Sequence, residues 1–133
     1  MNYINIRISA DSLNFEKLND ELNFDNSVIC KKGNIGEYKG EKFTFSEDIW
    51  QSKIEVTDDD LIENLRLIVD KLYGKKLFLQ TLPCECDFSI WITIYSERIQ
   101  SNFRFDKDIL NKISAIGASL DITVMNLQEF YEM

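Results

Sequence analysis

An α+β sandwich, in which a largely antiparallel sheet carries about three helices packed on one side, is the fold class this sequence predicts. Three observations carry it. Some segments alternate apolar and polar residues with a period of two, others repeat apolar residues every three or four positions, and the two kinds do not alternate strictly along the chain. Strict β-α-β-α order would point to a doubly wound parallel sheet. The order here, β-α-loop-β-β-α-β-β-α-β, points to helices covering one side of paired strands in one domain over residues 1–133.

Tyr3 to Ile8 opens the chain as a half-buried strand, with Ile4, Ile6 and Ile8 on one face and Asn5 and Arg7 on the other. Asp11 is expected to cap a helix whose narrow stripe is Phe15, Leu18 and Leu22. From Asn23 to Lys42 the glycines Gly33, Gly36 and Gly40 and scattered charges break every periodicity, so a long loop is expected. Phe43 to Phe45 and Ile49 to Val56 read as two strands, the second with Trp50, Ile54 and Val56 on one face around Ser52. Thr57 is the expected N-cap of the main helix, with Asp58, Asp59 and Asp60 in its first turn, where carboxylates meet the positive end of the helix dipole. Leu61, Leu65, Ile68 and Leu72 then form one line, widened by Ile62, Val69 and Tyr73, and Gly74 is placed to stop it.

Lys75 to Leu82, before Pro83, fits a short helical turn, although Leu77, Phe78 and Leu79 would also suit a strand. Phe88 to Tyr95 is the clearest β segment. Phe88, Ile90, Ile92 and Ile94 face one way and Trp91, Thr93 and Tyr95 the other, which suggests a central strand. Ser96 and Glu97 are expected to turn the chain into a hairpin partner from Arg98 to Phe105. Asp106 caps the last helix, striped by Ile109, Leu110, Ile113 and Ile116 and stopped by Gly117. Leu120, Ile122 and Val124 make a closing strand, and a fraying tail is expected from Leu127 to Met133.

Composition narrows the function. The hydrophobic fraction of 44% against 29% charged is that of a folded globular chain rather than a disordered tail. There is no histidine, which removes Ser-His and Cys-His nucleophiles and His-ligated zinc from the candidates. The formal net charge of −8 repels phosphate backbones and anionic lipid, so neither nucleic acid nor a membrane surface is an expected partner. Lys31, Lys32, Lys39 and Lys42 lie among three glycines and the carboxylates of Glu37 and Glu41, which reads as a solvated loop. The start, Met1 to Arg7, lacks a basic region followed by an apolar run, so a cytoplasmic protein with reduced thiols is expected.

Few residues offer chemistry. Cys84 and Cys86, with Cys30, could present three thiolates to a soft metal, but one residue between the pair is not the usual zinc spacing, and core packing or partial exposure is the expected role. No metal or cofactor is therefore expected. Carboxylate pairs could support acid and base chemistry without histidine, yet Asp58, Asp59 and Asp60 are explained by capping. Glu16 and Asp20 are like charges at i and i+4, a spacing that costs a helix a few tenths of a kcal/mol. They are the candidate contact residues for a cationic partner. Trp50 and Trp91 belong to the core or to a ligand cleft, and the sequence leaves that open.

Lys39-Gly40-Glu41, Trp50-Gln51-Ser52, the acidic start and apolar run from Asp58 to Leu72, and the late helix and strand from Ile109 to Ile122 together resemble a family of small bacterial proteins. That family is the domain of unknown function numbered forty-two seventy-nine. The resemblance covers nearly the whole chain and implies the fold, with an immunity-protein-like character; it assigns no activity and no catalytic residue. Small size, acidity and the missing catalytic apparatus make the leading expectation a non-enzymatic binding protein, most specifically an immunity protein that neutralises a bacterial toxin with a basic surface. A small-molecule ligand-binding domain or a carboxylate-based enzyme is the alternative, and self-association is a third.

Overall fold

The alternation of Ile4, Ile6 and Ile8 with polar residues does form a strand, and that strand is the middle of the sheet. The computed structural model describes residues 1–96 and 102–126. In chain order the elements are β1 (Asn2–Ala10), α1 (Phe15–Leu22), β2 (Ser27–Cys30), β3 (Ile35–Tyr38), β4 (Glu41–Thr44), β5 (Asp48–Val56), α2 (Leu61–Tyr73), α3 (Lys76–Leu79), β6 (Asp87–Ser96), α4 (Lys107–Ala115) and β7 (Ser119–Asn126). Five strands form one sheet in the order β2-β5-β1-β6-β7, and β3 and β4 form a separate two-stranded ribbon. Every neighbouring pair is antiparallel except β6 and β7, so the sheet is mixed. A parallel neighbour requires the chain to cross back between the strands, and α4 lies on that crossover.

One core lies between this sheet and the helices. Register places Ile6 opposite both Ser52 and Ile90, so the even-numbered residues of β1, β5 and β6 share one face. Ile4, Ile6, Ile8, Trp50, Ile90, Ile92 and Ile94 are buried there beneath Leu18 and Leu22 of α1, Leu65 and Leu72 of α2, and Ile109 and Ile113 of α4. Each such side chain contributes about 1.5–3 kcal/mol by leaving water. The Trp50 indole keeps its polar edge satisfied by donating from Nε1 to Asn19 Oδ1 at 2.8 Å, and Ser27 Oγ donates to the same oxygen at 3.0 Å. Asn19 thus ties α1 and β2 to β5.

Several boundaries differ from the sequence expectation, each for a local reason. The N-cap of α1 is Asn14, whose Oδ1 accepts the Lys17 N–H at 3.1 Å; Asp11 lies outside the helix and pairs with Lys32. Thr57 precedes α2 by a turn of its own, its Oγ1 donating to Asp60 Oδ2 at 3.1 Å, and Asp60 is the N-cap residue. Two neighbouring boundaries agree: Gly74 is the C-cap of α2, though with right-handed φ, and the short helical turn before Pro83 is α3, four residues long. The expected loop from Asn23 to Lys42 holds β2 and β3, each four residues and too short to show a period. Lys39 and Gly40, with φ of 51° and 80°, close the β3–β4 hairpin as a two-residue turn with both φ positive.

Of the expected hairpin partner Arg98–Phe105, residues 98–101 lie outside the described residues and 102–105 form no strand. Phe103 and Phe105 alternate because their rings pack against the core, and β6 takes β7 as its neighbour instead. The last helix agrees with expectation in its bounds and caps, but Leu110, expected in its apolar stripe, lies beside the buried line of Ile109 and Ile113 and is 44% exposed. Asp106 Oδ1 accepts the Ile109 N–H at 3.0 Å, and Gly117 at φ 77° allows Ala118 N–H to reach the Ile113 carbonyl at 3.1 Å. Arg66 on α2 donates to Asp106 Oδ2 at 2.6 Å, which joins the two helices.

Asp48, at the start of β5, joins three segments. Its carboxylate accepts the backbone N–H of Lys32 at 2.8 Å and of Leu13 at 2.9 Å, and those two bonds hold its pKa below the ordinary 3.8. A depressed folded pKa adds stability that is fully present above the unfolded value and is lost as pH falls through the folded one. Asp48→Asn should cost about 1 kcal/mol near neutral pH, since the carboxylate is partly solvated, and should flatten the acid limb of stability below roughly pH 4. Urea midpoints measured across that range check it; parallel acid limbs for the two chains would contradict it.

Candidate functional site

Among the described residues the helices cover one face of the sheet, and Trp91, Lys53 and Glu55 stay exposed on the other. Along β1 the odd residues Tyr3, Asn5 and Arg7 point to that second face, and the register sets their neighbours. Tyr3 lies between Glu55 and Thr93, Asn5 between Lys53 and Trp91, and Arg7 between Gln51 and Ser89. Diagonal neighbours then meet. The Arg7 guanidinium lies 5.7 Å from the centre of the Trp91 ring, and Lys53 Nζ lies 4.1 Å from the centre of the Tyr3 ring. Tyr95 meets Tyr3 edge to face at 6.1 Å, and the Trp91 indole N–H donates to Ser89 Oγ at 2.6 Å. Trp91 remains 41% exposed although hydrogen-bonded, a fixed aromatic surface rather than a buried one.

Two amides complete the centre. Asn5 Nδ2 donates to Gln51 Oε1 at 3.3 Å, while Asn5 Oδ1 is out of water and has no partner among the described residues. A buried unpaired acceptor costs about 1–3 kcal/mol. Around the margin the register places Glu55 beside Tyr3, Asp87 beside Ser9 and Asp121 beside Trp91. The face therefore has an aromatic, amide and cationic centre with carboxylates at its edge. It can stack on planar or apolar groups, donate and accept at amides, and attract cations at its rim.

The residues singled out from the sequence fall in different places. Glu16 and Asp20 are exposed on α1, on the helical side of the sheet, beside Lys17 and Glu21 in a shallow depression; Lys75 approaches Glu21 at 3.6 Å. They do not join the open face. Trp50 is 0% exposed in the core, whereas Trp91 belongs to the open face, so the two tryptophans separate. The strand carrying Trp91 is interior to the sheet but covered on one side only. Tyr3, Asn5, Arg7, Gln51 and Lys53 were not singled out. Their signal was present as the outward half of each alternating strand, which by itself does not distinguish a binding face from a solvated one.

Cys84 and Cys86 line an open cleft of about 270 Å³ with Leu82, Pro83, Phe88 and Gly117, while Cys30 is on β2. All three thiols are free, and no group of three His, Cys, Asp or Glu side chains placed to hold a metal occurs among the described residues. A second cleft of similar volume lies between α1 and Pro83, and no carboxylate lines either one. No helix among the described residues is long and apolar enough to cross a membrane.

Among the described residues, a two-layer α+β protein with one sheet face uncovered is the class this geometry defines. The chain belongs to the family described as Domain of unknown function (DUF4279), whose profile matches residues 2–127, from the first residue of β1 to just beyond β7. No curated protein and no solved structure matches the chain.

Burial, followed by the nearby charges of Asp87 and Glu85, pushes the Cys86 thiol up to about 11. At neutral pH its reactive thiolate fraction is therefore very small. Iodoacetamide at about pH 7.5 should label exposed Cys84 well before Cys86, as read by peptide mass mapping of the folded chain. Faster labelling of Cys86 would show an activated thiol and reopen a redox role.

Proposed function

We propose that this protein is a non-enzymatic protein-binding module that grips a basic partner with the open face of its sheet, and that it serves as a cytoplasmic immunity protein covering the active site of a bacterial toxin. The observation that carries this reading is the grouping of Trp91, Tyr3, Tyr95 and Arg7 on one uncovered face. Trp, Tyr and Arg are the residue types that dominate binding hot spots, and a strand-borne platform holds them with little entropy left to lose. The net charge of −8 supports the partner's sign. A toxin that cuts nucleic acid needs a basic cleft for its substrate, and an acidic inhibitor is drawn to such a cleft from a distance.

In this reading Glu55, Asp87 and Asp121 at the rim, and Glu16 and Asp20 on α1, contribute attraction, while the aromatic centre supplies the contact that holds. A direct nucleic-acid partner is disfavoured by the same charge.

The test is affinity capture with tagged wild-type chain, Trp91→Ala and Glu16→Lys/Asp20→Lys as baits, in lysates of the source cell and of its competitors. One stoichiometric basic protein, released by salt and recovered at least about tenfold less by Trp91→Ala, is expected. Loss of capture only in the α1 double variant would move the contact to the helical side. Baits that return clean, or a partner indifferent to salt and to all three substitutions, would overturn the proposal.

A further inference from the structure

The two edges of the sheet are protected very differently. At one edge β2 is only four residues long, and a short edge offers little backbone for pairing. At the other, β7 runs for eight residues, and its outer side has no strand neighbour among the described residues. It carries one charged residue, Asp121, and no lysine or proline, the residues that usually discourage pairing at an edge. Register aligns Ile122 with Ile92 and Val124 with Ile94 on the helical side of the sheet. Ile92 and Ile94 are buried, yet Ile122 and Val124 are 45% and 61% exposed. Among the described residues, the result is a long, unguarded edge with exposed apolar side chains along it.

We infer that β7 is a self-association edge, through which two copies of the chain pair antiparallel about a two-fold axis at Thr123 to make one ten-stranded sheet. The sequence of β7 selects this register. A two-fold normal to the sheet keeps like faces together, so residue numbers that pair must sum to an even number. An axis at Asp121 sets two carboxylates directly opposite, and one at Ile122 leaves them about 7 Å apart along the strands. An axis at Thr123 separates them by about 14 Å and gives each Asp121 a neutral neighbour, Met125 of the second copy. It also pairs Ile122 with Val124 twice, so the exposed apolar side chains of each copy cover those of the other. Both helix layers then lie on one side and both open faces on the other. The inference does not depend on what those faces bind.

The test uses the full chain in sedimentation equilibrium and oxidative cross-linking. The wild-type chain should weigh twice its 15.6 kDa, and Val124→Lys should return it to 15.6 kDa with an unchanged circular dichroism spectrum. Facing residues on antiparallel strands have Cα atoms about 4.5–5.5 Å apart, within reach of a disulfide. Thr123→Cys should therefore form a covalent dimer on oxidation, while Asp121→Cys should not exceed the background of the unsubstituted chain. A monomer at every concentration, a dimer that survives Val124→Lys, or cross-linking of Asp121→Cys as readily as Thr123→Cys would overturn the inference. Should Val124→Lys fail to fold, the cysteine pair decides alone. A monomeric chain would leave the capture experiment on the open face untouched, so the two ideas fail separately.

Discussion

β1 lies in the middle of the sheet, and its choice of faces is imposed on every strand around it. With Ile4, Ile6 and Ile8 turned inward, pairing forces Trp50, Ser52, Ile90 and Ile92 inward too, and it forces Lys53, Gln51, Ser89 and Trp91 out. A slip of one residue would drive Asn5 and Arg7 into an apolar core, where an unpaired charge costs several kcal/mol or more. The register is therefore fixed by burial on one side. The composition of the open face is a consequence of the same constraint, because the residues that cannot be inside are gathered there in rows.

What holds the helices down is mainly apolar contact. The ion pairs of the helical layer, Arg66 with Asp106 and Lys112 with Asp70 and Asp108, are largely solvated and screened, so each contributes well under the worth of a buried leucine. The structural polar bonds are few and specific. Asn19 receives the Trp50 indole, and buried Asn2 donates to Asp58 and accepts the Tyr95 N–H at 2.9 Å, fastening the far end of the sheet to the entry of α2. Added salt should accordingly leave the fold in place. Any salt sensitivity of binding then reports on the partner rather than on unfolding.

Strong periodicity is what made the fold legible. β1, β5, β6, α2 and α4 announce themselves because each buries one regular face over eight or more residues. β2 and β3 do not, since four residues at an edge or in a ribbon have no face to bury, and Gly40 was readable as a turn but not as the turn of a hairpin. Phe103 and Phe105 imitate a strand by packing two rings into the core without a ladder. The open face was half legible. Trp91 stood out as a large apolar residue on the outward half of its strand, but whether a second layer covers that half depends on the number and placement of helices, which no single strand encodes. Glu16 and Asp20 owe their tolerated repulsion to exposure beside Lys17.

The cations at the centre of an acidic protein have a physical account. Arg7 and Lys53 lie over Trp91 and Tyr3, so each positive group already faces the negative surface of a ring and is partly desolvated before any partner arrives. A guanidinium is weakly hydrated to begin with, and covering it against an aromatic ring leaves less to remove. The centre of the face can therefore be buried at lower cost than two free cations could, provided the incoming surface supplies an acceptor for Arg7. The carboxylates at the margin stay wet and act over distance, where their sum governs the rate of encounter rather than the lifetime of the complex. Attraction and grip thus belong to different residues, and a change in one should be separable from a change in the other.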